Sequence, residues 1–189
     1  MRNLFWCSLL AGCAALPALA QTTERTFENE LRLDVVSLLA QGQLNLSYET
    51  FSDSPWSYGI TAAVLVNSAK EDDFLEENHQ HLAKWHAGPF VRYRLSEGRK
   101  TFYFVEASAL YNSGDYRYIA EQTANGITTY RSSTDSYNDL ALGGAVGVKV
   151  LFTESWGAEV AAGTGWNLLQ GSESPDLVTR VGVRLVYRF

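Results

Sequence analysis

Apolar and polar side chains alternate with a period of two residues along the C-terminal segment, residues 177–189. One face of this segment is wholly apolar and ends in two aromatic residues: Val181, Val183, Leu185, Tyr187 and Phe189. The opposite face carries three arginines: Arg180, Arg184 and Arg188. Such alternation is typical of a β-strand whose two faces meet unlike surroundings. The pattern therefore predicts a strand that runs to the last residue.

The same alternation recurs seven times before this segment. It predicts strands over 29–37, 43–51, 56–67, 85–95, 101–111, 138–151 and 156–168. Short polar turns at 52–55, 96–100 and 153–155 alternate with longer connectors, of which residues 112–137 are predicted to form the longest loop. Tilted strands of about 9–11 residues cross a bilayer core. An even number of such strands with alternating connectors predicts an all-β, eight-stranded antiparallel up-and-down transmembrane β-barrel.

The distribution of charge along the strands indicates which face lies inside the barrel. Small residues share a face with the charged side chains, as the crowded interior of an eight-stranded barrel requires. The apolar face carries no charge, and Trp85, Tyr111 and Trp166 fall at strand ends, where an aromatic girdle would lie. We therefore predict that the apolar face contacts lipid. The inverse arrangement, a soluble lipocalin-like barrel with apolar residues inside, is the alternative.

The predicted interior contains a near-balanced set of charged side chains. Those predicted to form a lumen charge network are Glu49, Arg92, Arg94, Glu106, Lys149, Glu159, Arg184 and Arg188, together with Glu30, Arg32 and Asp34 near the N-terminus of the barrel. Buried charges need opposite partners or solvent. We expect a salt-bridged plug and no open pore, with a narrow water path as the open alternative.

The first twenty residues have the features of a secretory signal peptide. Arg2 precedes an apolar run, and Ala18-Leu19-Ala20 forms a small-residue cleavage site. We predict that residues 1–20 are removed and that residues 21–189 form the barrel domain. Cys7 and Cys13 then leave with the signal peptide. Alternatively, Leu10-Ala11-Gly12-Cys13 is a lipobox, and Cys13 is acylated.

Charge and candidate chemistry add little to this prediction. The formal net charge of -6 without a basic cluster argues against a nucleic-acid partner. The residues that an enzyme or a metal site would use are His79, His81 and His86. The His-x-Ser-Asn pattern of a lipid A deacylase does not occur in the sequence. His79 and His81 alone would supply two imidazoles, which make an incomplete metal site. We predict no catalytic residues, no metal and no cofactor. The acids of loop 68–84 are read as a solvated surface, whereas the tyrosines within 112–137 suit either a binding surface or an aromatic rim.

The C-terminal strand, GPFVRYRL at 88–95 and YFVEASALY at 103–111 together resemble the OmpA/OmpX-type small outer-membrane β-barrel family. The resemblance is to stand-alone members, because no peptidoglycan-binding domain follows the barrel. It implies that Tyr187 and Phe189 form the signal that the barrel-insertion machinery reads. It also implies a monomer in the outer membrane of a Gram-negative bacterium, in contact with outer-membrane lipid and lipopolysaccharide.

The function that this resemblance implies is non-enzymatic. We expect a role in envelope integrity or in surface interaction through the extracellular loops. Two alternatives belong to other classes: a lipid A-modifying outer-membrane enzyme, and a soluble periplasmic carrier of an apolar ligand.

Overall fold

A computed structural model describes residues 28–76, 79–96, 98, 100–124, 127–169 and 174–189. Within these residues, eight strands close into a barrel in sequence order, β1 to β8, and every neighbouring pair is antiparallel. The strands are β1 (Asn29–Asp34), β2 (Gln43–Phe51), β3 (Trp56–Leu65), β4 (His81–Arg94), β5 (Thr101–Ala124), β6 (Ile127–Leu151), β7 (Trp156–Asn167) and β8 (Leu177–Arg188). The predicted eight-stranded up-and-down barrel is confirmed. The predicted signal peptide, residues 1–20, lies outside the described residues.

Closure of the barrel depends on β1, which pairs with both β2 and β8. Glu30 stands opposite Arg188 and Asp34 stands opposite Arg184, so the first and last strands also bring opposite charges together. Because successive side chains of a strand point to opposite faces, each strand divides its residues between the lumen and the exterior.

The two faces have the compositions that the alternation predicts. Large apolar side chains are exposed around the outside, including Ile60 at 62% and Val146 at 60% of their surface. Charged side chains fill the inside, where Glu30, Lys149 and Glu159 have no exposed surface at all. This arrangement is the reverse of the lipocalin-like alternative, whose interior would be apolar.

The two ends of the barrel differ. The three short turns lie together at one end, called here the turn end, where the rings of Trp56 and Tyr93 are 4.9 Å apart. The long connectors lie at the other end, called the hairpin end, where the rings of Trp85 and Tyr111 are 5.6 Å apart. Aromatic side chains at both strand ends are typical of the girdles of a membrane barrel.

The prediction of a long loop over residues 112–137 is wrong. These residues continue β5 and β6 as a hairpin, paired from Asn112 opposite Asp139 to Ala124 opposite Ile127. At its base, Asn112 to Tyr116 also pair with β4; beyond Tyr116 the paired strands of the hairpin are β5 and β6 alone. A ribbon with solvent on both faces needs no alternation of apolar and polar residues, so the sequence pattern that marks the other strands is absent here. Thr, Tyr and Ile nevertheless favour extended backbone.

Two connectors also differ from the prediction. The segment 68–84, predicted as a loop, contains helix α1 (Ser68–Leu75) and the first residues of β4. The Asn67 side chain caps α1 by accepting a hydrogen bond from the Ala69 amide, and the buried Phe74 ring lies 4.9 Å from the Arg117 guanidinium. Strand β1 ends at Asp34, because a π-helical turn follows it and closes at Gly42, whose φ is 69°.

No helix in the described ranges is long and apolar enough to cross a membrane.

Candidate functional site: the charged lumen

The lumen is filled by a network of oppositely charged side chains from seven of the eight strands. Among the described residues it contains five carboxylates and six cations, all joined by ion pairs within 4.0 Å: Glu30, Asp34, Glu49, Glu106, Glu159, Arg32, Arg92, Lys149, Arg180, Arg184 and Arg188. Each of them reaches the lumen because it occupies an inward position of its strand. We call this set the lumen network.

Glu159 on β7 is the hub of the lumen network. Its carboxylate receives both terminal nitrogens of Arg92, at 2.7 and 2.9 Å, and the Nη1 of Arg184 at 2.6 Å. Arg32 Nη1 and Lys149 Nζ approach the same carboxylate at 3.3 and 3.4 Å. Four cations from four strands therefore converge on one buried carboxylate, which joins opposite walls of the barrel.

A second cluster lies nearer the turn end. Lys149 pairs with Glu30, and Arg188 donates from Nε to the other oxygen of Glu30 at 2.9 Å. Glu49 accepts from Arg32 Nη1 at 2.8 Å and from the Ser57 hydroxyl. Through Ser57, β3 also takes part, so that every strand of the barrel contributes to the polar interior.

Aromatic rings complete the filling around the guanidinium of Arg92. The guanidinium carbon lies 4.1 Å from the ring centre of Phe104 and 5.1 Å from that of Phe90, distances typical of cation–π contacts. Both rings lie against glycine, since a Cβ at Gly59 would overlap the Phe90 ring and a Cβ at Gly147 would overlap the Phe104 ring. The small inward residues therefore make room for rings, and not for an open channel.

The lumen network separates two spaces. Towards the hairpin end lies a chamber of about 200 Å³, here called the upper chamber, whose polar lining includes Asp34, Asn45, His86, Arg180 and Arg184. Towards the turn end lies a crevice of about 20 Å³. An arrangement of this kind closes the barrel with paired charges and leaves a polar chamber towards the hairpin end.

The fold is similar to known structures. No family model and no curated protein matches the chain. The N-terminal β-barrel domain of Pseudomonas aeruginosa OprF is similar over 86% of this chain and 97% of its own, with a TM-score of 0.55 and 11% identity. Neisserial surface protein A is similar over 86% of this chain and 95% of its own, with a TM-score of 0.52 and 9% identity.

The chain has the fold of the small eight-stranded outer-membrane β-barrels. The resemblance to the OmpA/OmpX-type barrels is thus confirmed at the level of the fold.

Ten of the eleven charged residues predicted for the interior lie in the lumen network: Glu30, Arg32, Asp34, Glu49, Arg92, Glu106, Lys149, Glu159, Arg184 and Arg188. Arg94 does not. It is the last residue of β4, on the same side of the strand as Arg92, and its side chain is exposed at the turn end.

Two inward residues were not included in the predicted charge network, although Arg180 had been placed on the charged face of the last strand. Arg180 donates from Nη1 to Glu106 at 2.7 Å and to the Ser108 hydroxyl at 2.9 Å. Asp139, which is fully buried, accepts from the backbone amides of Leu168 and Leu169 at 3.0 and 2.8 Å and so holds the connector after β7. Both could have been assigned to the lumen from the alternation of side chains along a strand, because Arg180 shares its face with Arg184 and Asp139 shares its face with Lys149.

The histidines occupy three different surroundings. His79 is exposed, whereas His81 is half-buried with its ring 6.3 Å from that of Tyr137. His86 lines the upper chamber, and its Nε2 atom is buried without a hydrogen-bond partner in the part of the chain that the structure describes. No three His, Cys, Asp or Glu side chains among the described residues are grouped as metal ligands would be.

The residues predicted as the insertion signal lie on the outer surface at the turn end. Tyr187 and Phe189 are exposed by 39% and 48%, and their ring centres are 6.0 Å apart. Tyr187 also packs against Trp156 of the neighbouring strand, with ring centres 4.8 Å apart. The C-terminal aromatics therefore form part of the girdle at this end of the barrel.

Proposed function

We propose that the protein is a non-enzymatic outer-membrane β-barrel that spans the bilayer as a closed body and displays the β5–β6 hairpin at the cell surface. The observation that carries the proposal is the apolar, uncharged exterior around a charged interior. A charge facing lipid at mid-bilayer costs about 2–4 kcal/mol, so this distribution suits lipid outside and would be unfavourable in water. Export would use the signal peptide predicted at residues 1–20.

The hairpin is the part of the barrel best suited to a surface role. From Asn112 to Ala124 it extends roughly 40 Å at about 3.4 Å per residue. It exposes large side chains above the girdle, namely Tyr118 at 42%, Ile119 at 72% and Tyr130 at 66%. Exposed tyrosines among small polar residues are typical of binding surfaces. We propose that the protein acts through this hairpin in surface interaction, or supports envelope integrity as a rigid membrane body.

The partners that we propose follow from the same surfaces. Outer-membrane lipid would cover the apolar belt, and lipopolysaccharide would surround the base of the hairpin. The barrel-insertion machinery would bind the C-terminal strand with Tyr187 and Phe189 during biogenesis. A monomer satisfies these contacts, because the closed barrel leaves no edge strand within the membrane.

Accessibility of single cysteines in intact cells tests the proposed orientation. Both native cysteines lie in the predicted signal peptide, so the mature chain offers a background without thiols. A membrane-impermeant maleimide should label Ser132→Cys on the hairpin in intact cells, and Asp53→Cys in a short turn only after lysis. Labelling of Asp53→Cys alone in intact cells would reverse the orientation. Recovery of both variants as soluble protein would contradict the membrane location.

A further inference from the structure

We propose that the upper chamber is a binding site for a small oxyanion, such as inorganic phosphate, held by the guanidinium of Arg180 with His86 as a second donor. The site lies on the hairpin side of the lumen network. The inference goes beyond the proposed function, and it depends on the barrel fold and not on which side of the membrane the hairpin occupies.

The first argument is the distribution of charge around Arg180. Glu106 is shared between two guanidinium groups, since Arg92 Nε donates to its Oε2 at 2.7 Å and Arg180 Nη1 donates to its Oε1 at 2.7 Å. One carboxylate cannot neutralise two cations. Arg92 has a further partner in Glu159, whereas Arg180 has no second carboxylate among the described residues. Arg180 and Arg188 are the two cations of the lumen network with a single, shared carboxylate, and of these two Arg180 lines the upper chamber.

The wall of the upper chamber has the same imbalance. Its charged residues are Arg180, Arg184 and Asp34, and Asp34 already accepts from Arg184 Nε at 3.3 Å and from the Ser37 amide at 3.0 Å. Arg184 in turn uses its Nη1 on Glu159. Asp34 and Arg184 are thus paired with each other on the chamber wall, whereas the one carboxylate partner of Arg180 among the described residues, Glu106, is not part of that wall. A bound anion would restore neutrality, and buried charges favour such compensation.

The second argument is the supply of hydrogen-bond donors. Within the described residues, the hydrogen bonds of Arg180 are made by Nη1 alone, although a guanidinium carries five N–H donors. His86 Nε2 is buried and without a partner, and a buried polar atom of this kind loses the hydrogen bonds that it makes in water. The two side chains line the same chamber. An oxyanion between them would accept from both.

The third argument is space. The chamber has about 200 Å³, and a single water needs roughly 10–15 Å³ of such space. It therefore has room for a tetrahedral oxyanion with part of its hydration shell. Exposed Gln41, in the connector between β1 and β2, also lines the chamber, so an anion can enter from the hairpin end.

Side-chain NMR of the folded barrel tests the proposal. The mature chain, residues 21–189, is refolded in detergent micelles, and its arginine Nε–Hε and histidine ring signals are followed while sodium phosphate is added. Sodium chloride at equal ionic strength serves as the reference titration. We expect saturable shifts of the Arg180 and His86 signals with phosphate and not with chloride.

Three variants separate the site from general electrostatics. Arg180→Gln should weaken phosphate binding by about tenfold or more, the usual worth of a charge-assisted hydrogen bond. Arg188→Gln removes a lumen arginine at the turn end and should leave the affinity unchanged. His86→Phe keeps a ring and removes the donor, so it should also weaken binding, and it provides a test if Arg180→Gln does not fold.

The outcomes that overturn the proposal are equally specific. Equal shifts with phosphate and with chloride would show a water-filled chamber without an anion site. Shifts that do not saturate would show the same, provided that the barrel is folded and still changes its gel mobility on boiling. An equal loss of affinity in Arg188→Gln and Arg180→Gln would show that phosphate responds to overall lumen charge only.

Discussion

Replacing the hub carboxylate of the lumen network, Glu159→Gln, tests the role of the network in stability. The substitution keeps the shape of the side chain and removes its charge. In the unchanged protein, the Glu159 carboxylate pairs with nitrogens of Arg92 at 2.7 Å and of Arg184 at 2.6 Å, and nitrogens of Arg32 and Lys149 lie within 3.4 Å of it. In the variant, four carboxylates would face six cations among the described residues, and the new amide NH2 would point at a guanidinium.

The size of the effect follows from the burial of the group. Removing one partner of a fully buried ion pair typically costs about 3–5 kcal/mol, because the remaining charge is left without compensation in a medium of low polarity. Glu159 has no exposed surface, so solvent screening does not reduce this value. With a denaturant slope of about 1–3 kcal/mol per molar urea, the unfolding midpoint should fall by roughly 1 M or more.

The assay is urea unfolding of the barrel in lipid vesicles, followed by tryptophan fluorescence and by gel mobility without boiling. Glu154→Gln in the exposed turn before β7 is the matched control and should change stability by about 0.5 kcal/mol or less. A midpoint for Glu159→Gln equal to that of the control would refute the reasoning, because the lumen charges would then be individually dispensable.

A double-mutant cycle extends the same test. Adding Arg184→Gln to Glu159→Gln removes one of the cations that lost its partner, so the two losses should not add. We expect the double variant to be more stable than the sum of the single effects predicts, by about 0.5–3 kcal/mol. Strict additivity would mean that the 2.6 Å contact contributes nothing of its own.

Three further predictions concern the two faces and the hairpin. Gly182→Ala would drive a Cβ into the carboxylate of Asp34 and should lower the unfolding free energy by about 1–3 kcal/mol; unchanged stability would show that Asp34 moves freely. Val146→Arg should destabilise the barrel in lipid by about 2–4 kcal/mol of folding free energy, because the charge would face lipid. Ser132→Arg, on the same strand but in the hairpin, should fold as the unchanged protein does. An equal effect of the two substitutions would contradict the assignment of Val146 to the lipid-facing surface. Replacing 119–132 by a two-residue Asn-Gly turn should leave a barrel that still changes mobility on boiling, and loss of folding would show that the hairpin is required for the barrel.

The strand pattern predicted the barrel because each membrane strand meets lipid on one face and a polar lumen on the other. That contrast produces alternation in β2, β3 and β7, whose predicted bounds lie within two residues of the observed ones. It also placed Glu159 and Arg92 inside without knowledge of the fold. What alternation could not provide is which strand lies opposite which, and hence that four cations meet on Glu159.

The hairpin and the upper chamber could not be predicted in the same way. Beyond Tyr116 the hairpin pairs β5 with β6 alone and no longer separates lipid from the lumen, so the physical cause of alternation is absent and the sequence predicts a loop. The missing hydrogen-bond partner of His86 Nε2 depends on side chains from distant strands and has no signature in sequence. The inward direction of Arg180, by contrast, could be predicted from the sequence, since it lies four residues before Arg184 on the same strand.

Heat-modifiability of the protein in fractionated membranes tests the central claim most directly. A closed barrel keeps its backbone hydrogen bonds in detergent until it is boiled. The full chain, expressed in a Gram-negative host, should be found in the outer-membrane fraction and should change its gel mobility on boiling. Recovery in the soluble fraction with no change of mobility would contradict a lipid-covered barrel closed by paired charges.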